Sequence, residues 1–478
     1  MPLTVLGDAD VSRILHSLTR EDVLELQESL SDALHWYSTS SDGNDCCSDF
    51  QPERTHLKRK DGSTTLFMPA SGLTGQGVKV VNIDATDDSG KGKPAGLPKL
   101  EGLSLDRQGS DASASSRTSM STVVSEKGSR SSIGSRPGSS KGSVETGQTS
   151  WSAGSGVPEP PKKAPSTIRG SLTLMDNQGN TTGLINAEEV TAFRTALAST
   201  MLLKKRHSVH DLTVFGAGKQ AYWHIRLALL LRGPEIHHLN IVTRNFDSAR
   251  GCIMRLYDPQ PDDPDYDNPI GSSHNSKTKK TILTPSHTEY ERLVKEYVRA
   301  SNVIFCTTPS LTPLFPASYL TNPEGRKKGR YIACIGSYKP HMVELHPDVL
   351  RYAVAPHHEH RHLHKRQKEG GAIIVDTVEG CLKEAGEIIQ AKLMPDQVVE
   401  LGELFMLKRE AERKQAEKGG GTMEQGCQLQ DNSGLKEWLT KGNVIYKSVG
   451  LGLMDVVVGG ELVRLARERG IGTTIRNF

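Results

Sequence analysis

The 478-residue sequence has few aromatic residues, no long apolar run and almost no net charge. Aromatic residues make up 5% of it, and 59 Lys and Arg against 56 Asp and Glu leave a net charge of +3. This balance does not favour nucleic-acid binding, which requires a basic surface. Because no run of about 18 apolar residues is present, no membrane span is expected either.

Cysteines are also few, and their spacing has no regular pattern. There are seven, an odd number, and apart from the adjacent Cys46 and Cys47 they are scattered. This arrangement indicates neither a disulfide framework nor a zinc site. The N-terminal residues lack the basic and apolar segments of a secretory signal, so we expect a cytoplasmic protein. The alternating histidines of 357–364 are interpreted as a solvated loop, and no metal is predicted.

Polar, serine-rich composition marks segments that we expect to lie outside the fold. Residues 101–156 contain 18 serines among 56 residues and few aliphatic ones. Such a segment cannot bury enough apolar area to offset the entropy lost on ordering, so disorder is predicted for 86–167. Shorter polar inserts are predicted at about 257–280 and at 410–434.

The N-terminal part of the chain predicts a helix followed by antiparallel strands. Apolar residues at helical spacing in 20–37 indicate the helix. Strands are predicted at 54–57 and 64–68, joined by a turn at Asp61-Gly62, and a third at 77–84. After the serine-rich segment, 186–203 again has a helical pattern.

From His210 onward, short apolar strands alternate with helical segments. This alternation predicts an α/β fold class with a doubly wound parallel sheet of the Rossmann type. The predicted strands are 212–215, 239–243, 281–283, 303–307, 331–335 and 372–376, and a further strand and helix follow at 443–448 and 450–469.

The segment 216–221, GAGKQA, lies between a predicted strand and a predicted helix. In that context it fits the dinucleotide-binding fingerprint. Gly216 permits the tight turn, Gly218 lets the backbone approach a pyrophosphate, and Ala221 allows close packing of helix on strand. The phosphates would lie at the helix N-terminus, where free N–H groups and the helix dipole favour anions. The cofactor-binding residues predicted from this segment are Gly216, Ala217, Gly218, Lys219 and Gln220.

The end of the next strand indicates which dinucleotide is bound. NAD sites carry an Asp or Glu there for the ribose 2′-hydroxyl, whereas this strand ends Thr243-Arg244-Asn245. Arg244 can pair with a 2′-phosphate, which favours NADP. A merely solvated Arg244 is the alternative, and NAD remains possible.

Three basic residues, Arg54, Lys79 and Arg194, have apolar or strand-like surroundings in the sequence. A carboxylate substrate suits a bidentate Arg, and imine or amine chemistry suits a Lys near the reacting nitrogen. From spacing alone, an ordinary surface or structural position is favoured for each residue over a role in binding or catalysis.

Five segments in the same order resemble the ornithine cyclodeaminase/μ-crystallin family: 67–69 with 78–82, 191–196, 216–221, 329–345 and 447–455. The resemblance spans about residues 3–475 and leaves out the polar inserts. It implies a Rossmann domain at 205–409 and an α+β substrate and dimerisation domain formed by both chain ends. The latter would comprise 1–85, 168–204 and a C-terminal return at 435–478. A homodimer acting on a small amino or imino acid is also implied.

The resemblance further implies roles for individual residues. Arg54 and Arg194 would hold the substrate α-carboxylate, and Lys79 would be the catalytic lysine close to the reacting nitrogen. The implied cofactor contacts are Thr195, Gly218, Gln220, Arg244, Thr307 and Val449.

One position departs from the family members that cyclise ornithine. Those members have an aspartate shortly after the glycine of the fifth-strand motif, whereas here Gly336-Ser337 is followed by Tyr338. A phenol with a pKa near 10 is a poor base at neutral pH. We therefore expect NAD(P)-dependent reduction of a cyclic imino acid, or interconversion of an amino acid and its imine. Ornithine cyclodeamination and nonenzymatic NADPH-dependent binding of a small molecule remain alternatives.

Overall fold

The computed structural model describes residues 2–39, 51–83, 169–258, 268–270, 277–355, 371–405 and 429–478. The serine-rich segment 86–167 and the histidine run 357–364 lie outside these described residues. Residues 1–87 and 166–478 belong to one unit, which contains two sheets.

The first sheet has seven strands in a mostly antiparallel arrangement. They are β1 (Leu3–Leu6), β2 (Thr55–Lys58), β3 (Thr64–Gly72), β4 (Gly75–Ile83), β5 (Arg169–Met175), β6 (Thr181–Asn186) and β15 (Thr473–Ile475). Their order is β15-β1-β6-β5-β4-β3-β2, so the two chain ends meet at one edge. The three predicted N-terminal strands are present. The hairpin of β5 and β6 was not predicted, although Asp176 accepts the backbone N–H groups of Gln178 and Asn180 in its turn.

The second sheet has eight strands with parallel pairing throughout its ladder. They are β7 (Asp211–Phe215), β8 (His238–Val242), β9 (Lys279–Leu283), β10 (Val303–Cys306), β11 (Tyr331–Cys334), β12 (Ile373–Val375), β13 (Val398–Glu400) and β14 (Val444–Lys447). The order β13-β12-β14-β11-β10-β7-β8-β9 reverses direction between β7 and β10. Ligands of doubly wound sheets bind outside the carboxyl ends of the strands at such a reversal. The predicted α/β class and Rossmann sheet are therefore confirmed.

The helices connect and cover the two sheets. Those of the described residues are α1 (Asp8–His16), α2 (Arg20–Thr39), α3 (Ala187–Thr200), α4 (Lys219–Arg232), α5 (Phe246–Tyr257), α6 (Tyr290–Ala300), α7 (Ser318–Thr321), α8 (Pro323–Arg326), α9 (Pro347–Val354), α10 (Val378–Glu384), α11 (Gly386–Ala391), α12 (Leu429–Lys441) and α13 (Gly452–Arg469).

Helix α13 lies close against the first sheet because glycines remove side chains from the contact. A Cβ on Gly459 would lie 2.5 Å from Leu172 Cδ2, and one on Gly183 of β6 would lie 2.7 Å from Val463 Cγ2. Most apolar residues of α13 are buried. This close approach brings the first turn of α13 onto β3 and β4, where the candidate site lies.

Two predicted inserts are partly ordered. Within 257–280, Ile270 is fully buried, Asn268 Nδ2 donates to the carbonyl oxygens of Leu256 and Tyr257, and β9 begins at Lys279. Disorder was wrongly predicted for these residues because one apolar anchor and strand pairing outweigh the polar composition. Lysines suit the exposed edge strand that they form. Within 410–434, α12 begins at Leu429, and residues 406–428 lie outside the described part.

The position of β14 differs from the predicted C-terminal return at 435–478. This strand pairs with β11 and β12 inside the parallel sheet, so the chain returns to the first sheet only after Lys447. The reason is the apolar run Val444–Tyr446, which is buried on both faces as central parallel strands are. The other domain limits remain predictions.

Candidate nucleotide and substrate site

The strand–loop–helix around Gly216 forms at the reversal point of the parallel sheet. Gly216 has φ +112°, and a Cβ there would lie 2.7 Å from Thr307 Oγ1. Thr307 follows β10 and donates its hydroxyl to the Phe215 carbonyl oxygen at 2.7 Å. Both the left-handed backbone and this close approach therefore require glycine at 216. The contact brings two predicted cofactor residues, Gly216 and Thr307, together.

Space for a diphosphate lies in front of α4. Gly218 is the residue that caps this helix, and a Cβ built on it meets nothing within 4 Å. The protein itself thus does not require glycine at 218, whereas a ligand approaching the backbone would. Among the described residues, the buried Oε1 of Gln220 finds no hydrogen-bond partner. The open helix N-terminus and this free acceptor fit a nicotinamide dinucleotide.

Other predicted cofactor residues have partners within the protein. Lys219 Nζ lies 2.6 Å from Glu188 Oε1 and 3.3 Å from Glu189 Oε2, at the start of α3. Its side chain thereby connects the nucleotide loop to the helix that carries Arg194. Thr195 is buried and donates its hydroxyl to the Thr191 carbonyl oxygen at 2.9 Å.

Ala217 and Arg244, like Lys219, have exposed surface. Ala217 is half-buried in the nucleotide loop, and Arg244 is exposed just after β8. The position of Arg244 beyond the carboxyl end of β8 is the position where a Rossmann sheet meets the adenosine ribose.

A buried carboxylate organises the loop after β14. Asp376, at the end of β12, accepts the Ser448 hydroxyl at 2.7 Å and the backbone N–H groups of Val449 and Gly450 at 3.1 and 2.6 Å. Sequence reasoning missed Asp376. The available signal was its position as the last residue of a predicted strand, at the ligand-binding edge of the sheet.

The loop at Val449 and Gly450 also meets both predicted substrate arginines. Arg54 donates to the carbonyl oxygens of Val449 at 3.1 Å and Gly450 at 2.6 Å. Gly450 has φ +91°, and a Cβ on it would lie 2.8 Å from the Arg194 guanidinium. The nucleotide edge of the parallel sheet is therefore directly connected to the substrate residues of the first sheet.

Lys79 and Arg194 share one buried carboxylate, Asp455. Lys79 Nζ lies 3.0 Å and Arg194 Nε 3.3 Å from Asp455 Oδ1, and the three side chains are at most 5% exposed. They come from β4, α3 and the first turn of α13. Sequence reasoning did not assign Asp455, although it ends the 447–455 motif and is the acidic residue in the first turn of an apolar helix.

The ionisation of this cluster follows from its burial. Desolvation lowers the pKa of Lys79 to about 8, and the nearby Arg194 and Arg54 charges act in the same direction, against the attraction of Asp455. Burial alone would raise the pKa of Asp455, but Arg194 and Lys79 outweigh it and hold that pKa below its ordinary value. Within the described residues, Asp455 Oδ2 has no hydrogen-bond partner.

A cavity of about 210 Å³ opens beside Arg54 and the loop at Val449 and Gly450. Arg54, Val449 and Gly450 form part of its wall, and α10 forms another part. Its remaining lining residues are Tyr37, Gln51, Pro52, Glu53, His56, Met68, Pro69, Thr377, Glu379, Gly380, Lys383, Glu384, Leu451 and Gly452.

Glu344 lies behind the fifth-strand motif that ends in Tyr338. Its fully buried carboxylate accepts the backbone N–H groups of Thr308 and Gly336 at 2.6 Å and of Ser337 at 3.2 Å. Burial raises the pKa of Glu344 to about 7. Glu344 therefore holds the loops after β10 and β11 together. Tyr338 itself is half-buried.

The described residues include neither a metal-binding cluster nor a membrane-spanning helix. They contain no group of three or more His, Cys, Asp or Glu side chains that could hold a metal ion. No helix among them is long and apolar enough to cross a membrane.

Comparison with other sequences identifies distant relatives. No family model matches the chain. An uncharacterized protein of Saccharomyces cerevisiae is 29% identical over 317 residues, which cover 62% of this chain and 74% of that protein. Δ1-Pyrroline-2-carboxylate reductase of Bacillus cereus is 24% identical over 327 residues, covering 67% of this chain and 78% of the enzyme.

Solved structures share the fold at low sequence identity. An archaeal alanine dehydrogenase dimer with bound NAD has a TM-score of 0.56 at 15% identity, with both chains covered completely. Thermococcus litoralis Δ1-pyrroline-2-carboxylate reductase with NADH and L-proline has a TM-score of 0.56 at 16% identity. The match covers 99% of this chain and 100% of that one. A probable ornithine cyclodeaminase of Bordetella pertussis has a TM-score of 0.52 at 16% identity. The match covers 98% of this chain and 99% of that one.

Fold and site together define an α/β protein with a Rossmann-type parallel sheet, the fold that these neighbours share. These relatives confirm the predicted resemblance to the ornithine cyclodeaminase/μ-crystallin family, and the named ones among them are enzymes.

Proposed function

We propose that this protein reduces a cyclic imino acid with a nicotinamide cofactor, or catalyses the reverse oxidation of the amino acid. One observation carries the proposal. Arg54 and Arg194 both contact the loop at Val449 and Gly450 that leaves the nucleotide sheet, and Lys79 shares Asp455 with Arg194. A ligand bound at this site would lie between the cationic side chains of the protein and the nucleotide-binding edge of the parallel sheet.

The arginines bind the substrate carboxylate in this proposal. Guanidinium groups present paired N–H donors that match the two oxygens of a carboxylate. Arg194 is buried, so the pairing would be little weakened by water. The substrate would then be held with its Cα near Val449 and Gly450, the residues that adjoin the nucleotide edge.

Lys79 supplies the proton in this proposal. With a pKa of about 8, it is mostly protonated at neutral pH and able to donate. When bound, the reduced nicotinamide supplies hydride to the imine carbon. The C=N electron pair moves to nitrogen, which receives its proton from the Lys79 ammonium. The unpartnered Asp455 Oδ2 offers an acceptor for an N–H of the substrate.

We propose NADP as the preferred cofactor, with NAD possible. The support is Arg244, an exposed guanidinium just beyond β8 with no acidic residue at the strand end. Two of the solved neighbours contain NAD or NADH. The test therefore compares both cofactors.

We also propose a homodimer in the cytoplasm. The face of the first sheet opposite Lys79 has a mostly apolar cross-strand row of partly buried or exposed side chains, Pro69–Val78–Thr173–Leu184. Such a face fits a second copy of the chain, and the archaeal alanine dehydrogenase is a dimer. Cys252, Cys306, Cys334 and Cys381 are free thiols, which suits a reducing compartment.

The decisive experiment supplies NADPH and NADH in parallel with Δ1-pyrroline-2-carboxylate and Δ1-piperideine-2-carboxylate. We expect cofactor oxidation by the wild type and a loss of about 100-fold or more in Lys79→Ala. Lys327→Ala removes an exposed lysine that directly follows α8 and is the matched control. It should retain wild-type rates.

Two other outcomes would replace the proposal. Conversion of L-ornithine to proline and ammonia by the pure enzyme would establish cyclodeamination, which the Tyr338 position argues against. Tight NADPH binding without turnover of any imino acid would favour a nonenzymatic binder.

A further inference from the structure

We propose that Glu384 makes the enzyme selective for imino acids with a single carboxylate, by neutralising Arg54 and placing a negative charge on the cavity wall. This inference rests on the proposed function, which it deepens by naming the substrate class. The rest of the substrate would be neutral or cationic where it faces α10.

Glu384 and Arg54 form an ion pair at the edge of the cavity. Glu384 Oε2 lies 3.2 Å from one terminal nitrogen of Arg54, and the side chains are 36% and 24% exposed. The other terminal nitrogen donates to the carbonyl oxygens of Val449 and Gly450. Arg54 thus already has one carboxylate partner before any substrate binds.

The charges divide into an inner and an outer group. The inner group, Lys79 and Arg194 with Asp455, has a net charge of +1 when all three are ionised. One substrate carboxylate balances that excess.

The outer group lines the cavity and has the opposite sign. Lys383 lies 2.6 Å from Glu53 and 2.8 Å from Glu379, and Arg54 pairs with Glu384. Three carboxylates against two cations leave a net charge of −1 on this wall. A second carboxylate on the substrate would therefore face repulsion that a neutral or cationic group would not.

The test compares two rings that differ by one carboxylate. Δ1-Piperideine-2-carboxylate is the monocarboxylate, and 2,3,4,5-tetrahydropyridine-2,6-dicarboxylate is the dicarboxylate. For the wild type we expect kcat/KM to favour the monocarboxylate. In Glu384→Gln, which keeps an amide oxygen near Arg54 but loses the charge, we expect the ratio to shift about 10-fold or more toward the dicarboxylate.

Two control variants distinguish the effect of Glu384 on selectivity from the effect of the total charge of the cavity wall. Glu384→Asp retains the charge and should retain the wild-type preference. Glu379→Gln removes another wall charge, but one that is paired with Lys383, and should shift the ratio less than Glu384→Gln does. Nucleotide binding by each variant, followed by fluorescence, reports whether the fold is intact.

The outcomes distinguish this inference from the proposed function. An unchanged ratio in Glu384→Gln, or an equal shift in Glu379→Gln, overturns the role of Glu384 while reduction of the monocarboxylate still supports the function. If the wild type reduces neither ring although it binds nucleotide, the proposed function fails and the inference fails with it.

Discussion

Lys79 is the residue whose surroundings most affect the proposed chemistry. Its ammonium is buried beside one carboxylate and close to the Arg194 and Arg54 guanidinium groups, so its pKa is about 8 instead of the ordinary 10.5. A lysine with this pKa exists in both protonation states near physiological pH. It can therefore act as an acid in one direction of the reaction and as a base in the other.

The two directions should have opposite pH profiles. Imine reduction needs the ammonium form of Lys79, so its kcat/KM should fall as pH rises above about 8. Amino-acid oxidation needs the neutral amine, so its kcat/KM should rise up to about the same pH. Initial rates between pH 6 and 10 in both directions provide the measurement. Profiles that lack opposite inflections near this pH would exclude Lys79 as the proton carrier.

Asp455→Asn tests the cause of that pKa. The Asp455 carboxylate is the group that favours the charged form of Lys79, whereas burial and the arginines oppose it. Its removal should lower the pKa of Lys79 further and move the fall in the reductive profile to lower pH. A merely structural Asp455 would reduce the rate without moving the inflection.

At the scale of elements, the nucleotide loop illustrates two different uses of glycine. Gly216 is required by the protein itself, through φ +112° and its contact with Thr307. Gly218 caps α4 with extended backbone and has open space where a Cβ would be. A ligand that approaches the backbone closely would require glycine at 218.

Gly218→Ala should separate nucleotide binding from stability. We expect the free energy of unfolding to change by no more than about 1 kcal/mol, since the backbone conformation is allowed for alanine. The Kd for NADPH should rise about 10-fold or more, because the methyl group would occupy the space of the diphosphate. Thermal unfolding and fluorescence titration measure the two effects.

The matched control is Gly251→Ala. Gly251 is exposed in the interior of α5, and a Cβ there also meets nothing within 4 Å. The Gly251→Ala substitution should stabilise the protein by about 0.5–1 kcal/mol and leave the Kd for NADPH unchanged. Equal Kd values for both variants would contradict a diphosphate at Gly218.

At the scale of the whole molecule, the first sheet has two different faces. One face carries Lys79 and packs against α13, while Val78 and Val80 alternate onto the opposite face. On that face Val80 pairs with Phe67 across the strands, and both are half-buried. A partly exposed apolar face of this kind is the surface through which we expect two copies to associate.

Val80→Arg should therefore weaken the dimer. A charge in the centre of an apolar interface cannot be desolvated without a partner, so the dimer dissociation constant should rise about 100-fold or more. Sedimentation velocity over a range of concentrations measures it. Lys327→Ala, which changes the residue directly after α8, should sediment as the wild type does. A monomeric wild type at micromolar concentration would refute the dimer.

Much of the local structure could be predicted from the sequence. The strand–loop–helix at 211–232, the alternation that defines the parallel sheet and the antiparallel strands around Lys79 follow from hydrophobic periodicity and turn residues. The resemblance of five segments to one family also directed attention to Arg54, Lys79 and Arg194. These features depend on residues that are near one another in the chain, which is why the sequence by itself determined them.

Contacts between residues that are far apart in the sequence were decided only by the tertiary structure. Asp455 reaches Lys79 across 376 positions of the chain, and Asp376 reaches the loop at Val449 across 73. Ile270 orders part of a segment whose composition alone predicts disorder. The spacing of residues along the sequence does not indicate which strands become neighbours or which helical turn packs against them. Those contacts arise from long-range strand pairing and close packing, which depend on the whole core at once.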